Sequence, residues 1–298
     1  MKLLLLGKNG QVGWELQRSL APLGEVLALD SSSQAYCGDL NDLPGLATTV
    51  QRFAPDVIVN AAAYTAVDKA ESESQLAYRI NADAPAVLAQ EALRLKALLV
   101  HYSTDYVFAG LGDQPWQETD PVAPLSVYGA SKLAGEQAIA ASGCAHLILR
   151  TSWVYSARGN NFATTMLRLA RERESLAVID DQFGAPTGAE LLADVTAHVI
   201  RSVLADPQLG GIYHLAATGE TTWCRYARFV LEQAERAGMN LKVTPAMVEA
   251  IGTEAYPTPA RRPGNSRLDT RKLQKAFALS LPDWKVGVTR MLAEILEK

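Results

Sequence analysis

The sequence is poor in cysteine: Cys37, Cys144 and Cys224 are the whole complement, far apart and without a Cys-x-x-Cys pair. An odd number at such spacing argues against a disulfide framework or a zinc site and points to a reducing cytoplasm. Histidine is as sparse, with four residues and no His-x-x-His or His-Glu-x-x-His pattern. No apolar stretch is long enough to span a membrane. The run Leu3 to Leu6 is too short for a signal peptide and reads as a buried strand. Nor is there an excess of positive charge. Lys and Arg number 28 against 32 Asp and Glu, a formal net charge of −4, which argues against a nucleic-acid polymer as partner. Internal repeats, low-complexity tracts and flexible linkers are absent as well.

What is present is 298 residues, 48% of them hydrophobic, enough for one large α/β domain or for a large and a small one. Lys2 to Leu6 stops at Gly7. Gly7-Lys8-Asn9-Gly10-Gln11-Val12-Gly13 follows, then a helical pattern to about Leu20, then Val26 to Leu29 ending in Asp30. Strand, glycine turn, helix, strand and acid form a dinucleotide-binding fingerprint in its proper context. Glycines let the backbone approach a pyrophosphate at a helix N-terminus, where free N–H groups favour anions. Asp30 is placed to accept hydrogen bonds from an adenine ribose.

Further strands are expected at 56–60, 97–102, 146–150 and 212–215, and helices at 81–94, 161–173 and 223–237. Asp39 either contacts the cofactor or caps a helix near 42–53. The small residues after the third strand, Ala61 to Ala63 with Tyr64 and Thr65, permit close approach of a cofactor or tight helix packing. Thr104 ends the central strand, where its hydroxyl can hold a substrate carbonyl. Trp153 reads as a wall for a sugar or base, or as core. Tyr256 to Asn265 is an irregular loop. Strand–helix alternation loosens after about residue 150. The fold expected is α/β, a Rossmann-type doubly wound parallel sheet over 1–150, with a smaller, interleaved substrate-binding lobe over 151–298.

Leu125 to Lys132 carries the chemistry. Tyr128 and Lys132 stand one helical turn apart, so they share a face. An ammonium beside a phenol favours the phenolate and lowers its pKa. Such a phenol can protonate a carbonyl oxygen as hydride reaches its carbon. Alone, the pair also fits a half-buried Tyr with a solvated Lys.

The Gly7–Gly13 spacing resembles the extended branch of the short-chain dehydrogenase/reductases. Together with Asn60 to Asp68, Ser103 to Phe108, Tyr128 and Lys132, Arg150 to Tyr155, Asp181 to Thr187 and Arg262 to Leu268, it resembles the dTDP-4-dehydrorhamnose reductase family. That resemblance implies reduction of the C4 ketone of a dTDP-sugar nucleotide by NADH or NADPH, for bacterial cell-surface polysaccharides. It makes Tyr128 the proton donor and puts Thr104 in the place of the superfamily's catalytic Ser. Lys132 holds the nicotinamide ribose and tunes Tyr128. Cofactor contacts fall at Gly10, Gln11, Val12, Asp30, Asp39, Leu40, Ala63, Tyr64 and Thr65, sugar-nucleotide contacts at Thr104, Asp105 and Trp153. The resemblance also brings an association with Mg²⁺, for which Glu15, Glu190 and Glu294 are candidate ligands at a homodimer contact, or else solvated helix acids. Charge alone nominates Arg261, Arg262 and Arg267 for the diphosphate.

Neighbouring branches differ by residue. Sugar-nucleotide 4,6-dehydratases carry Thr-Asp-Glu after the central strand, where this chain has Tyr106 in place of the basic Glu. The 4-epimerases share the Tyr-Lys pair. The fold also occurs in a regulatory subunit of methionine adenosyltransferase, against which intact Thr104, Tyr128 and Lys132 argue.

Overall fold

A computed structural model describes residues 1–296. Its centre is a six-stranded, all-parallel sheet. β1 (Lys2–Leu6), β2 (Glu25–Leu29), β3 (Val57–Asn60), β4 (Leu98–Thr104) and β5 (His146–Thr151) are joined at one edge by the strand Gly211–His214. The spatial order runs from that edge strand through β5, β4, β3 and β1 to β2. Leu3 to Leu6 and Val57 to Val59 are fully buried because both faces of a parallel sheet are covered by helices. One face packs on helices Gln11–Leu20 and Ala189–Ala205, through Leu16, Leu20, Leu192 and Val199. The other packs on Leu43–Phe53 and Ala84–Leu95, through Leu46, Val50, Leu88 and Ala92.

β2 lies on one side of β1 and β3 on the other. That reversal opens a crevice at the strands' C-terminal ends, where open α/β sheets bind ligands. The turn after β1 lines it. Gly7 has φ +90°, and a Cβ there would stand 2.8 Å from Ala62 N; a Cβ on Gly13 would stand 2.0 Å from the Gly7 carbonyl oxygen. Only glycine fits either place.

A second hydrophobic cluster lies beyond the sheet. It joins helices Phe162–Glu172, Trp223–Arg236 and Trp284–Leu296 with the paired strands Leu176–Ile179 and Val248–Ile251, through Met166, Val230, Trp284 and Leu292. Two pairs of two-residue strands tie this part together: Phe183–Gly184 with Thr221–Thr222, and Val154–Tyr155 with Thr187–Gly188. Pairs this short leave no period in the sequence.

The alternative role for Asp39 as a helix cap is corrected. Asp42 caps Leu43–Phe53, its side chain accepting from Gly45 N, while Asp39 Oδ1 accepts from Asn41 N at 2.9 Å. The first turn of Ala84–Leu95 is preceded by a π-helical turn, Arg79–Asp83, which turns Asn81 inward. Sequence periodicity merges the two.

Helix Val127–Ser142 is braced against β5 by a buried ion pair. Arg150 Nη2 donates to Glu136 Oε2 at 2.6 Å and Arg150 Nε to Glu136 Oε1 at 2.9 Å, with side chains 4% and 2% exposed. Breaking such a pair leaves one charge buried alone. Arg150→Met is expected to cost about 3–5 kcal/mol in chemical denaturation, and Glu136→Leu added to it should recover most of the loss. Equal losses in the single and double variants would show that the brace acts through shape alone.

Candidate active site

The functional side chains converge where β3, β4 and β5 end. Gly10 is the N-cap of helix Gln11–Leu20 and offers no side-chain cap, so the first N–H groups of that helix face the crevice free of an internal partner. The donors and close-approach glycines fit a dinucleotide diphosphate. Gln11 accepts from the Ser156 hydroxyl at 3.3 Å and Val12 packs on the sheet. Asp30 ends β2 held by Ser32 and Ser33. It accepts from Ser32 N at 3.0 Å, from the Ser32 hydroxyl at 2.9 Å and from the Ser33 hydroxyl at 3.0 Å, and also from Asn9. Those bonds, Ser32 foremost, keep its pKa low. Lys8 Nζ stands 3.8 Å from the same carboxylate. Leu40 is buried beside this edge and Asp39 half-buried.

Ala63 and Tyr64 are half-buried and Thr65 exposed on the loop after β3. Asn81 clamps that loop. It accepts from Tyr64 N at 2.9 Å, donates to Tyr64 O at 3.0 Å and donates to the Ser131 hydroxyl on helix Val127–Ser142 at 3.0 Å. Tyr64's own hydroxyl donates to Glu73, so its side chain is held at Glu73 while its backbone is held by Asn81. Sequence reading missed Asn81; a lone Asn in a helical stretch gives no signal.

Ser126 caps helix Val127–Ser142, accepting from Gly129 N at 3.2 Å, which sets Tyr128 in the first turn. The Thr104 hydroxyl donates to Asp105 Oδ1 at 3.0 Å and accepts from Tyr106 N at 3.2 Å. Thr104 therefore caps a turn and faces the site at once. Burial raises the Tyr128 pKa, the Thr104 hydroxyl works the other way, and the negative charge of Asp105 with Tyr106 adds to the rise. Burial also pushes Asp105 up to about 6. Its Oδ2 forms no hydrogen bond, though the Ser266 hydroxyl close by favours the carboxylate. Tyr106 meets Tyr128 edge-on at 5.5 Å and is itself pushed up to about 12, chiefly by burial.

The Lys132 side chain is held by β4. Nζ, 2% exposed, donates to the Tyr102 carbonyl at 2.6 Å and meets His101 Nε2 at 3.0 Å. Burial lowers its pKa to about 8, with Glu136 opposing.

Trp153 has φ +49° and stacks on Trp223 at 3.6 Å between ring centroids. Trp223 Nε1 donates to Gln182 Oε1 at 3.2 Å. Trp223 is the aromatic partner of Trp153; a single Trp in a helix looks like core. Arg262 is paired with Asp68 at 2.7 Å and Arg267 with Glu220 at 2.6 Å, so both are already neutralised, while Arg261 is exposed.

Glu15, Glu190 and Glu294 come near one another. Burial raises the Glu15 pKa, and Glu190 and Glu294 add to it. Yet Glu15 lies 3.6 Å from Arg18 and Glu190 lies 3.3 Å from Arg290. Among the described residues no three His, Cys, Asp or Glu converge closely enough to hold a metal ion. The expectation concerned a contact between two subunits, which a single chain does not contain. Among them, too, no helix is long and apolar enough to cross a membrane.

The family model described as the RmlD substrate binding domain matches residues 1–297. A dTDP-4-dehydrorhamnose reductase of Escherichia coli (strain K12) is 61% identical over 295 residues, 99% of this chain and 98% of that protein. The crystal structure of a dTDP-4-dehydrorhamnose reductase from Clostridium acetobutylicum, 33% identical, superposes with a TM-score of 0.88 over the whole of both chains. Another from Bacillus anthracis, in complex with NADP, is 34% identical with a TM-score of 0.86, covering 98% of this chain and 99% of that one.

Asp105 makes a prediction with a definite sign. Its folded pKa lies above its ordinary 3.8, so the folded state holds the proton more tightly. The associated stability is full below pH 3.8 and is lost as pH rises through about 6. Asp105→Asn mimics the protonated form. It should gain up to about 3 kcal/mol in urea denaturation at about pH 7.5, with the gain vanishing in acid, while substrate turnover falls. A variant less stable than the parent at both pH values would refute the buried-charge account.

Proposed function

We propose a function from the premise that this chain belongs to the dTDP-4-dehydrorhamnose reductase family. It is an oxidoreductase that reduces the C4 ketone of dTDP-4-dehydro-β-L-rhamnose to dTDP-β-L-rhamnose with a reduced nicotinamide cofactor. The observation that supports this most directly is the convergence of Thr104, Asp105 and Tyr128 at the end of β4, on the same C-terminal edge of the sheet as the glycine turn.

When bound, the reduced nicotinamide supplies the hydride. The chain's own residues do the rest. Tyr128, neutral because it is buried, gives its proton to the C4 oxygen as charge develops there. Thr104 orients that oxygen and the phenol, with its hydroxyl fixed by Asp105. Lys132 holds the nicotinamide ribose. Trp153 lies against the sugar. Tyr106 occupies the place where a dehydratase would need a carboxylate, and a phenol pushed up to about 12 is no base for that abstraction. NADH and NADPH both serve. Asp30 favours the free ribose and repels a 2′-phosphate, while Lys8, 3.8 Å away, offsets the repulsion.

The test is an assay with the 4-keto sugar nucleotide and each reduced cofactor, following loss of absorbance and identifying the sugar by NMR. Tyr128→Phe keeps the ring and removes the proton. It should lower kcat by roughly 10²–10⁴-fold with little change in cofactor affinity. A near wild-type single-turnover rate in that variant would sink the assignment.

Mg²⁺ and a homodimer belong together in this reading. The acids Glu15, Glu190 and Glu294 repel one another within one copy. A second copy bringing its own acids to the same face would need a divalent cation with oxygen ligands. Chelation should lower the mass seen by light scattering and leave the chemistry intact. An oligomer indifferent to both chelator and Glu190→Gln would remove the ion from this face.

A further inference from the structure

Lys132 is the end of a buried chain of hydrogen bonds. Ala62 N donates to Asn60 Oδ1 at 3.2 Å. The Asn60 amide meets His101 Nδ1 at 3.2 Å, and His101 Nε2 meets Lys132 Nζ at 3.0 Å. Lys132 Nζ ends on the Tyr102 carbonyl at 2.6 Å. Asn60 and His101 are each 1% exposed, Lys132 2%. The chain starts in the backbone of the small-residue loop after β3 and crosses β4 to the helix Val127–Ser142.

The two ends fix its direction. A backbone N–H can only donate, so it holds the Asn60 oxygen and turns the Asn60 NH₂ toward His101. His101 Nδ1 then accepts. A neutral imidazole with an accepting Nδ1 carries its proton on Nε2. His101 is neutral, because burial and the nearby Lys132 hold it well below its ordinary range. Its Nε2–H therefore points at Lys132, which must accept with its lone pair while donating to the Tyr102 carbonyl. An ammonium has no lone pair, so this chain favours the amine.

We propose that His101, held by Asn60 as the Nε2–H tautomer, is a positioning residue for the ketone reduction: it binds Lys132 as an amine and lowers its hold on a proton. This rests on the reductase reading. Tyr128 loses its proton to the C4 oxygen as the new C–H and O–H bonds form, and it must regain one before the next turnover. Lys132, ammonium to amine, supplies that proton through the ribose hydroxyl it holds, and the amine takes a proton back from solvent once the oxidised cofactor leaves. A lysine that parts readily with a proton makes this return downhill, and His101 stabilises the amine left behind. The other groups facing Lys132 act differently. Glu136, on its own helix, favours the ammonium, but Arg150 of β5 already engages it through two nitrogens. Tyr128, on the same helix, and Asp105, just after β4, border the site. The pKa near 8 of Lys132 accords with the bias.

The tautomer is read directly. Protein labelled with ¹⁵N-histidine gives long-range ¹H–¹⁵N spectra in which Nδ1–H and Nε2–H rings differ, and His101→Gln identifies the signal by its loss. The expected signal is an Nε2–H ring that stays neutral through the range of pH in which the protein is folded. An Nδ1–H ring or an imidazolium overturns the proposal whatever the variants do. The second readout is the pH dependence of NADH binding and of kcat. Removing the donor in His101→Leu should move the alkaline limb of both upward by about one pH unit, the size of one hydrogen bond. His101→Gln, which keeps an N–H, should leave the limb near its wild-type place. A limb that stays or moves down in a folded His101→Leu protein also overturns it. If that variant does not fold, the wild-type tautomer and His101→Gln decide alone. Tautomer and NADH binding are measured without the keto-sugar, so failure of the reductase reading would appear separately, as absent turnover by the wild type.

Discussion

A lysine sealed from water keeps a usable proton only where other groups replace the water. Lys132 sits at the centre of the sheet's C-terminal edge, and its surroundings answer that need from three strands. β4 gives a carbonyl and a histidine, β3 an asparagine behind the histidine, and β5 the arginine that engages Glu136 one turn away. Each is fixed by the parallel register: Asn60 pairs with His101 across β3 and β4, and Ser103 with Arg150 across β4 and β5. A slip of one residue in either pairing would turn these side chains to the opposite face.

The same edge carries two carboxylates kept apart in role. Glu136 is neutralised by Arg150 and serves as structure. Asp105 is buried without a cation, which lifts its pKa to about 6 and makes its charge costly near neutral pH. Its Thr104 bond is the gain against that cost, since it fixes the hydroxyl's rotor and leaves the oxygen free to accept. A site that tolerates an unpaired carboxylate in order to orient one hydroxyl has given up stability for geometry.

Sequence carried far for this fold where its signals are local. Gly7, Gly13 and Asp30 are legible because a tight turn, a helix N-terminus and a strand end each demand particular residue types. Tyr128 and Lys132 are legible from one helical turn of spacing. Asn60, His101 and Asn81 were not, because their meaning lies in cross-strand and cross-helix partners 41, 31 and 50 residues away. The direction of the Lys132 side chain was also out of reach. Spacing puts it on the same face as Tyr128, but only the position of β4 shows that His101 and a carbonyl engage its amino group. The acid cluster was half legible: the three glutamates do come together, but their arginine neighbours lie on other elements or other turns.

Trp153 shows how the second cluster bears on the first. A bulky residue at φ +49° is strained by about 1–3 kcal/mol and persists only where its surroundings leave no alternative. Here the surroundings are specific. Trp223 stacks on its ring, Gln182 fixes Trp223, and Thr187 N donates to the Trp153 carbonyl at 3.1 Å. Trp223 opens a helix whose same face is packed into the second cluster through Tyr226 and Val230. The strain at Trp153 is therefore held by the second cluster, while Trp153 itself follows β5 of the sheet. A ring held in that way can form a flat wall at the crevice without relaxing into the core, which is the geometry a sugar ring requires of a wall. The irregular chain after residue 150 has a physical reason in this. Its short strands and turns, at Val154–Tyr155, Phe183–Gly184 and Thr187–Gly188, lock one tryptophan in a conformation that a regular strand or helix could not give it.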